Sequence, residues 1–184
     1  MTYEVEQKYP VPDRESLLDR VRALGTLAVH RIEQIDMYFA HPSREFAQTD
    51  EALRIRHQDE KCYLTYKGPK IDAETKSRQE IEVPIAGGDE AARQLAELLA
   101  ALGFRRVADV RKQRQTWQLP IGGQQVTVAV DDVEGLGTFV ELELMAEADQ
   151  LESAQEILRR LASQLQLTGG ERRSYLELLL KRDE

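Results

Sequence analysis

One cysteine in 184 residues, Cys62, leaves no partner for an internal disulfide and no thiolate pair or quartet for a zinc site. Cys62 is therefore expected as a small buried apolar residue in a reducing, intracellular setting. No stretch approaches the ~20 apolar residues that span a bilayer, and the first residues lack the basic start and apolar run of a leader. The expectation is a soluble, cytoplasmic protein without a membrane partner. Basic residues are outnumbered, 25 Lys and Arg against 33 Asp and Glu, giving a net charge of −8. With a pI near 5.1 this excludes a general nucleic-acid binder, whose affinity comes from phosphate neutralisation by a basic surface. A local basic pocket is not excluded. The 3 histidines, His30, His41 and His57, have no mutual spacing that suggests a metal site or a triad, which assigns them to surface or loop positions. No low-complexity linker interrupts the chain, so residues 1–184 are expected to form a single domain long enough to bury a core.

Apolar residues recur at helical spacing over roughly 13–24, 89–102, 149–166 and 174–182. Two of these segments end alike, RALG at 22–25 and AALG at 100–103, each with glycine where a left-handed C-terminal cap falls. A helix-then-strands unit occurring twice, as merged half-repeats of about 1–87 and 88–184, accounts for the similarity. The stretch AHPSREFAQTD at 40–50 is expected to be a mobile loop between a strand ending at Phe39 and another beginning near Leu53.

Elsewhere the period is two, and residues two apart share a face of a strand. The first strand sets Glu4, Glu6 and Lys8 on one face. LRIR sets Arg54 with Arg56, and KCYLTYK sets Lys61, Tyr63, Thr65 and Lys67 against Cys62, Leu64 and Tyr66. KSRQEIEVPI carries Lys76, Arg78, Glu80 and Glu82 opposite Ile81, Val83 and Ile85. Lys112 and Arg114 lie together, Asp131 and Thr127 oppose Val126, Val128 and Val130, and Glu141 and Glu143 oppose Val140, Leu142 and Leu144.

In any single strand this alternation is what a sheet with one wet face produces. Same-face E-x-E, R-x-R and K-x-R pairs recurring through the set ask for more. Carboxylates two apart on a strand lie about 6–7 Å from each other and repel, and a cation held between them makes the arrangement favourable. A sheet this long curls or closes. With the charged face inward, the chain becomes a barrel with a polar lumen and helices outside. Oxygen ligands suit Mg²⁺ or Mn²⁺, while the arginines and lysines suit an anion with several negative oxygens. A metal-chelated polyphosphate needs both.

These residues resemble the CYTH superfamily, the triphosphate tunnel metalloenzymes. The hallmark E-x-E-x-K is met by Glu4, Glu6 and Lys8. It is followed in family order by D-x-Y-F at Asp36, Tyr38 and Phe39, TDEALRIR at 49–56, YKGP at 66–69, R-x-E-x-E at Arg78, Glu80 and Glu82, K-x-R at Lys112 and Arg114, and DDVEGLGTFVELE at 131–143. FAQTDEALRIR and the terminal SYLELLL look most like the class IV adenylyl cyclase branch. The resemblance implies an α+β fold built on a closed eight-stranded antiparallel barrel, with ATP or another triphosphate in a charged tunnel and one or two Mg²⁺ or Mn²⁺ ions. It implies Glu6, Glu141 and Glu143 as principal metal ligands, with Glu4 and Asp131 as further candidates. Lys8, Arg54, Arg56, Lys67, Arg78, Lys112 and Arg114 would bind the triphosphate. Glu80 and Glu82 could bind metal, orient those cations or meet the nucleophile, which with Lys8 makes them the catalytic candidates.

The implied activity is a lyase reaction, ATP to cyclic AMP and pyrophosphate. Hydrolysis of inorganic, thiamine or nucleoside triphosphate is the alternative, and a non-catalytic polyphosphate-binding module a further one. A homodimer is the candidate assembly. Gly135 and Gly137 in EGLG lack the Walker pattern and read as a hairpin turn. Trp117 is expected to pack against a helix, Arg111 to lie at the surface, and Tyr175 to begin a helix closing over the barrel. Arg44, in the 40–50 loop, either reaches a phosphate or is solvated.

Overall fold

The computed structural model describes residues 2–25, 30–69, 78–85 and 87–182; Lys76 lies outside them. Eight strands form one sheet: β1 (Thr2–Pro10), β2 (His30–Ala40), β3 (Ala52–Gln58), β4 (Lys61–Lys67), β5 (Glu80–Ile85), β6 (Arg105–Ile121), β7 (Gln124–Val133) and β8 (Gly137–Glu147). Their spatial order is β1-β8-β7-β6-β2-β3-β4-β5, with antiparallel pairing throughout. The 17-residue β6 carries the curl, since its first part pairs with β2 and its second with β7. A register shift at Tyr38/Phe39 bends the β2–β6 ladder.

The expected closed barrel is an open half-barrel instead. Among the described residues its two ends meet at one bridge, between Glu4 of β1 and Arg78 just ahead of β5, where the Arg78 N–H donates to the Glu4 carbonyl at 3.3 Å. Across this gap the joining contact is ionic: Lys67 of β4 reaches Glu4 of β1 and Glu80 of β5.

The convex face is apolar. Helices α1 (Arg14–Ala23) and α4 (Leu151–Gln164) bury Leu17, Leu18, Val21, Leu158 and Leu161 against the outward residues of β1, β8, β7 and the second part of β6, among them Val5, Leu142, Val128 and Trp117. Each such side chain withdrawn from water contributes about 1.5–3 kcal/mol. Helix α3 (Asp89–Ala101) covers β2–β5 through Ala92 and Leu99 against Phe39, Ile55 and the buried Cys62. Asp13 caps α1, its side chain accepting from the Ser16 N–H at 3.0 Å. Gly25 and Gly103 adopt φ of +74° and +90° just past α1 and α3, as the two ALG sequences predict.

Residues 40–50 are less irregular than their composition suggests. They hold a one-turn helix, α2 (Phe46–Thr49), seated by burial of Phe46. EGLG is the β7–β8 turn, with both glycines at positive φ. Helix α5 (Tyr175–Arg182) differs from the other long helices in packing on the concave side, where Tyr175 joins Tyr38, Val110, Val133 and Phe139.

Candidate functional site

Alternation along the strands delivers the ionic residues to the concave face, where they line a cavity of about 660 Å³. β1 contributes Glu4, Glu6 and Lys8, β3 Arg54 and Arg56, β4 Lys67, and Arg78 with β5 adds Glu80 and Glu82. β6 contributes Lys112 and Arg114, and β8 Glu141 and Glu143. Every candidate from the sequence except Asp131 thus reaches one surface. Asp131 lies fully buried beneath it, with one oxygen accepting from Arg114 Nε at 2.7 Å and the other from Arg114 Nη2 at 2.6 Å and Lys112 Nζ at 3.1 Å. Arg111, on the opposite face of β6, is exposed, as expected.

Two buried carboxylates hold the cations in place. Asp131 is the first, and Asp36 is the second: it accepts from Arg56 at 2.7 and 2.8 Å and from Arg54 at 3.2 Å. Burial alone would raise the Asp36 carboxyl, but Arg54 and Arg56 outweigh it and hold it well below the usual carboxylate range. Asp131 is likewise lowered by Arg114 and Lys112 against the opposing effect of burial. Lys112 feels burial and the adjacent Arg114 more than its acidic partners, and its ammonium is lowered.

At the open edges of the sheet, Lys67 bridges Glu4, at 3.1 Å, and Glu80. Lys67 and Arg54 overcome desolvation at Glu80 and bring its carboxyl down to about 2. Glu82 accepts from the Thr65 hydroxyl at 3.1 Å. The acidic cluster is under the opposite stress. Burial, with Glu4, Glu141 and Glu6 nearby, pushes the Glu143 carboxyl up to about 8 despite Arg114 at 3.4 Å. Among the described residues no three Asp, Glu, His or Cys side chains converge as a metal-holding group in this arrangement. Arg114 engages both Glu141 and Glu143, and Lys67 engages Glu4.

Among the described residues the Nε–H groups of Arg54 and Arg78 are buried without a hydrogen-bond partner, as are Arg20 Nε and Trp117 Nε1 elsewhere in the fold, a condition that costs roughly 1–3 kcal/mol each. Both side chains line the cavity, while the Nε atoms themselves are covered.

Three participants carried no assigned role in the sequence. Asp36 sits in the D-x-Y-F element, but its place opposite Arg56 depends on the β2–β3 register. Tyr38 lines the cavity from the same strand. Tyr175 was expected on a covering helix, yet its ring enters the site. Its hydroxyl donates to Asp131 Oδ2 at 3.0 Å, and Lys8 Nζ and Lys112 Nζ lie 4.1 and 5.1 Å from its ring centroid. Burial and the neighbouring Glu141 and Asp131 raise the phenol well above its ordinary range, so it stays a donor. Lys8 also donates to the Arg173 carbonyl, tying β1 to the segment before α5.

The CYTH domain family profile matches residues 2–175. A putative adenylate cyclase of Methanocaldococcus jannaschii is 39% identical over 95% of this chain and 97% of its own. The PH1819 protein from Pyrococcus horikoshii superposes with a TM-score of 0.84 at 42% identity, over 97% of this chain and 99% of that one. A putative adenylyl cyclase from Hippeastrum, described by a dominant triphosphatase activity, shares the fold with a TM-score of 0.65 at 20% identity, over 100% of this chain and 96% of that one. With its ionic concave face and a family match across nearly its whole length, the chain belongs to the CYTH domain family.

Proposed function

We propose that this chain is a divalent-metal-dependent enzyme that holds ATP by its triphosphate on the concave face and converts it to cyclic AMP and pyrophosphate. The observation that carries the reading is the convergence of Lys8, Arg54, Arg56, Lys67, Arg78, Lys112 and Arg114 on one cavity. Asp36 and Asp131 stay beneath as anchors, each with both oxygens engaged by cations. When phosphate oxygens reach Arg114 and Lys67, these cations have a competing partner, and Glu141, Glu143 and Glu4 are released from them.

The donor set fits a hard divalent ion. Glu6, Glu141 and Glu143, with Glu4 beside them, offer oxygen alone, and the elevated Glu143 carboxyl marks a cluster short of positive charge. Bound Mg²⁺ or Mn²⁺ neutralises phosphate charge and lowers the pKa of a nearby hydroxyl. In cyclisation the ribose 3′ oxygen bonds to the α-phosphorus and the bond from that phosphorus to the bridging oxygen breaks, its electrons leaving with pyrophosphate. Lys8, Arg54 and Arg78 stabilise the charge that gathers on the leaving group. Glu80, held near 2 by Lys67 and Arg54, is a weak base. Glu82, held by a hydroxyl rather than a cation, is the better acceptor for the 3′ proton.

Incubation with ATP, tripolyphosphate and thiamine triphosphate in Mg²⁺ or Mn²⁺, followed by product analysis, tests the assignment. Cyclic AMP with pyrophosphate is expected. Orthophosphate from any of them would instead make the chain a triphosphate hydrolase using the same cavity, and tight binding without turnover a polyphosphate-binding module.

A further inference from the structure

β1 ends the sheet on one side, and its free edge is gripped at Lys8 by the segment that leads into α5. That segment passes through Gly169, at φ +71°, and Gly170, where an added Cβ would lie 3.6 Å from the Tyr9 ring. The Glu171 N–H then donates to the Lys8 carbonyl at 2.7 Å, and the Lys8 ammonium donates to the Arg173 carbonyl. One residue of β1 is thus held through its main chain and its side chain together.

The Arg173 carbonyl is itself fixed from both sides. The Glu171 carboxylate folds back to accept from the Arg173 N–H at 2.8 Å and from Arg173 Nε at 2.9 Å, which locks residues 171–173 into a turn. Arg173 holds this carboxyl down to about 2, so it is ionised throughout the neutral range. On the far side the Ser174 N–H, in the same peptide plane as the Arg173 carbonyl, donates to the Glu177 carboxylate at 2.6 Å, and the Glu177 N–H donates to the Ser174 hydroxyl at 3.1 Å. The N–H and C=O of a trans peptide point in opposite directions. Tying the N–H to α5 therefore turns the carbonyl away from the helix and toward Lys8. A carbonyl carries no net charge, so unlike Asp36 and Asp131 beneath the other cations it orients an ammonium without cancelling it.

We propose that Glu171 is a positioning residue for Lys8: by fixing the 171–173 turn it sets the carbonyl that places the Lys8 ammonium in the cavity. The inference rests on the triphosphate assignment and deepens it, because an ammonium with three N–H groups can keep one on the carbonyl while another meets a phosphate oxygen.

Titration of tripolyphosphate in Mg²⁺ against the parent, Glu171→Ala, Lys8→Met and the double variant tests the coupling. Lys8→Met is expected to weaken binding about thirtyfold, the loss of one charge-assisted bond. Glu171→Ala should weaken it about fivefold, and adding Glu171→Ala to Lys8→Met should change affinity by less than about twofold, because Glu171 acts through Lys8 alone. Glu171→Gln keeps an oxygen for the Arg173 N–H and should stay within about twofold of the parent. Losses that add in the double variant, parent-like affinity in Glu171→Ala, or Glu171→Gln as weak as Glu171→Ala would each overturn the positioning role. The ¹⁵N resonance of the Lys8 ammonium, identified by its loss in Lys8→Met, reads the placement without ligand. It should shift in Glu171→Ala while that of Lys67 on β4 stays in place, and an unmoved Lys8 resonance would overturn the inference. Failure of the parent to bind tripolyphosphate, with the Lys8 resonance shifting as expected, would remove the triphosphate assignment and leave Glu171 as the residue that places Lys8.

Discussion

Replacing Asp36 with asparagine keeps the shape of the side chain and removes its charge. In the folded protein this carboxylate is 1% exposed and takes three hydrogen bonds from two guanidinium groups, Arg54 itself being 7% exposed. Without it, two cations are left in a poorly solvated site facing Lys112 across the same cavity. Removing one partner of a buried ion pair costs about 3–5 kcal/mol. Arg56 is the less buried of the two cations and Glu80 lies 3.7 Å from Arg54, so about 3 kcal/mol is the figure expected here. The pH dependence follows from the lowered carboxyl. A group depressed on folding contributes stability above its unfolded pKa, about 3.9, and loses that contribution as pH falls toward the folded value. Urea denaturation at pH 8, 6 and 5 should therefore give the same difference between variant and parent, and the gap should narrow below about pH 4. A difference under about 1 kcal/mol at pH 7 would refute the view that Asp36 is the anchor of the two arginines.

Glu141→Gln with Glu143→Gln should abolish metal-dependent turnover while leaving the thermal unfolding midpoint close to that of the parent in EDTA; unchanged turnover would remove these residues from the metal site. Tyr175→Phe deletes the hydrogen bond to Asp131 but keeps the ring beside Lys8 and Lys112, so a loss of about 1–2 kcal/mol in stability is expected. Tyr175→Leu should add a measurable weakening of tripolyphosphate binding, because both lysines lose the ring that positions them; equal triphosphate affinities for the two variants would make Tyr175 a packing residue only.

Much of the site was legible because strand alternation is a local property. Glu4, Glu6 and Lys8 share a face whatever lies beside them, and the same holds for Arg54 with Arg56 and for Glu141 with Glu143, so their common destination followed once the strands were assigned. The C-terminal glycine caps of α1 and α3 were legible for the same reason. What depends on register was not. Asp36 becomes an anchor only because β2 and β3 align it opposite Arg56. Asp131 is a further ligand candidate through the family resemblance, and that it lies beneath the surface against Lys112 and Arg114 depends on the β6–β7 register. Tyr175 announced a helix, while the entry of its ring into the concave face is a matter of tertiary packing. Closure of the barrel is decided between β1 and the residues ahead of β5, which are distant in sequence, so the local pattern carries no signal for it.

The central claim is that the cations of the concave face hold a triphosphate, and equilibrium titration of tripolyphosphate in Mg²⁺ tests it most directly. One ligand per chain is expected, with affinity that falls steeply as salt is raised and drops by several kcal/mol in Arg54→Ala with Arg78→Ala, since both contribute buried charge-assisted bonds. Absence of binding at millimolar tripolyphosphate, or binding that the double variant leaves intact, would contradict the account.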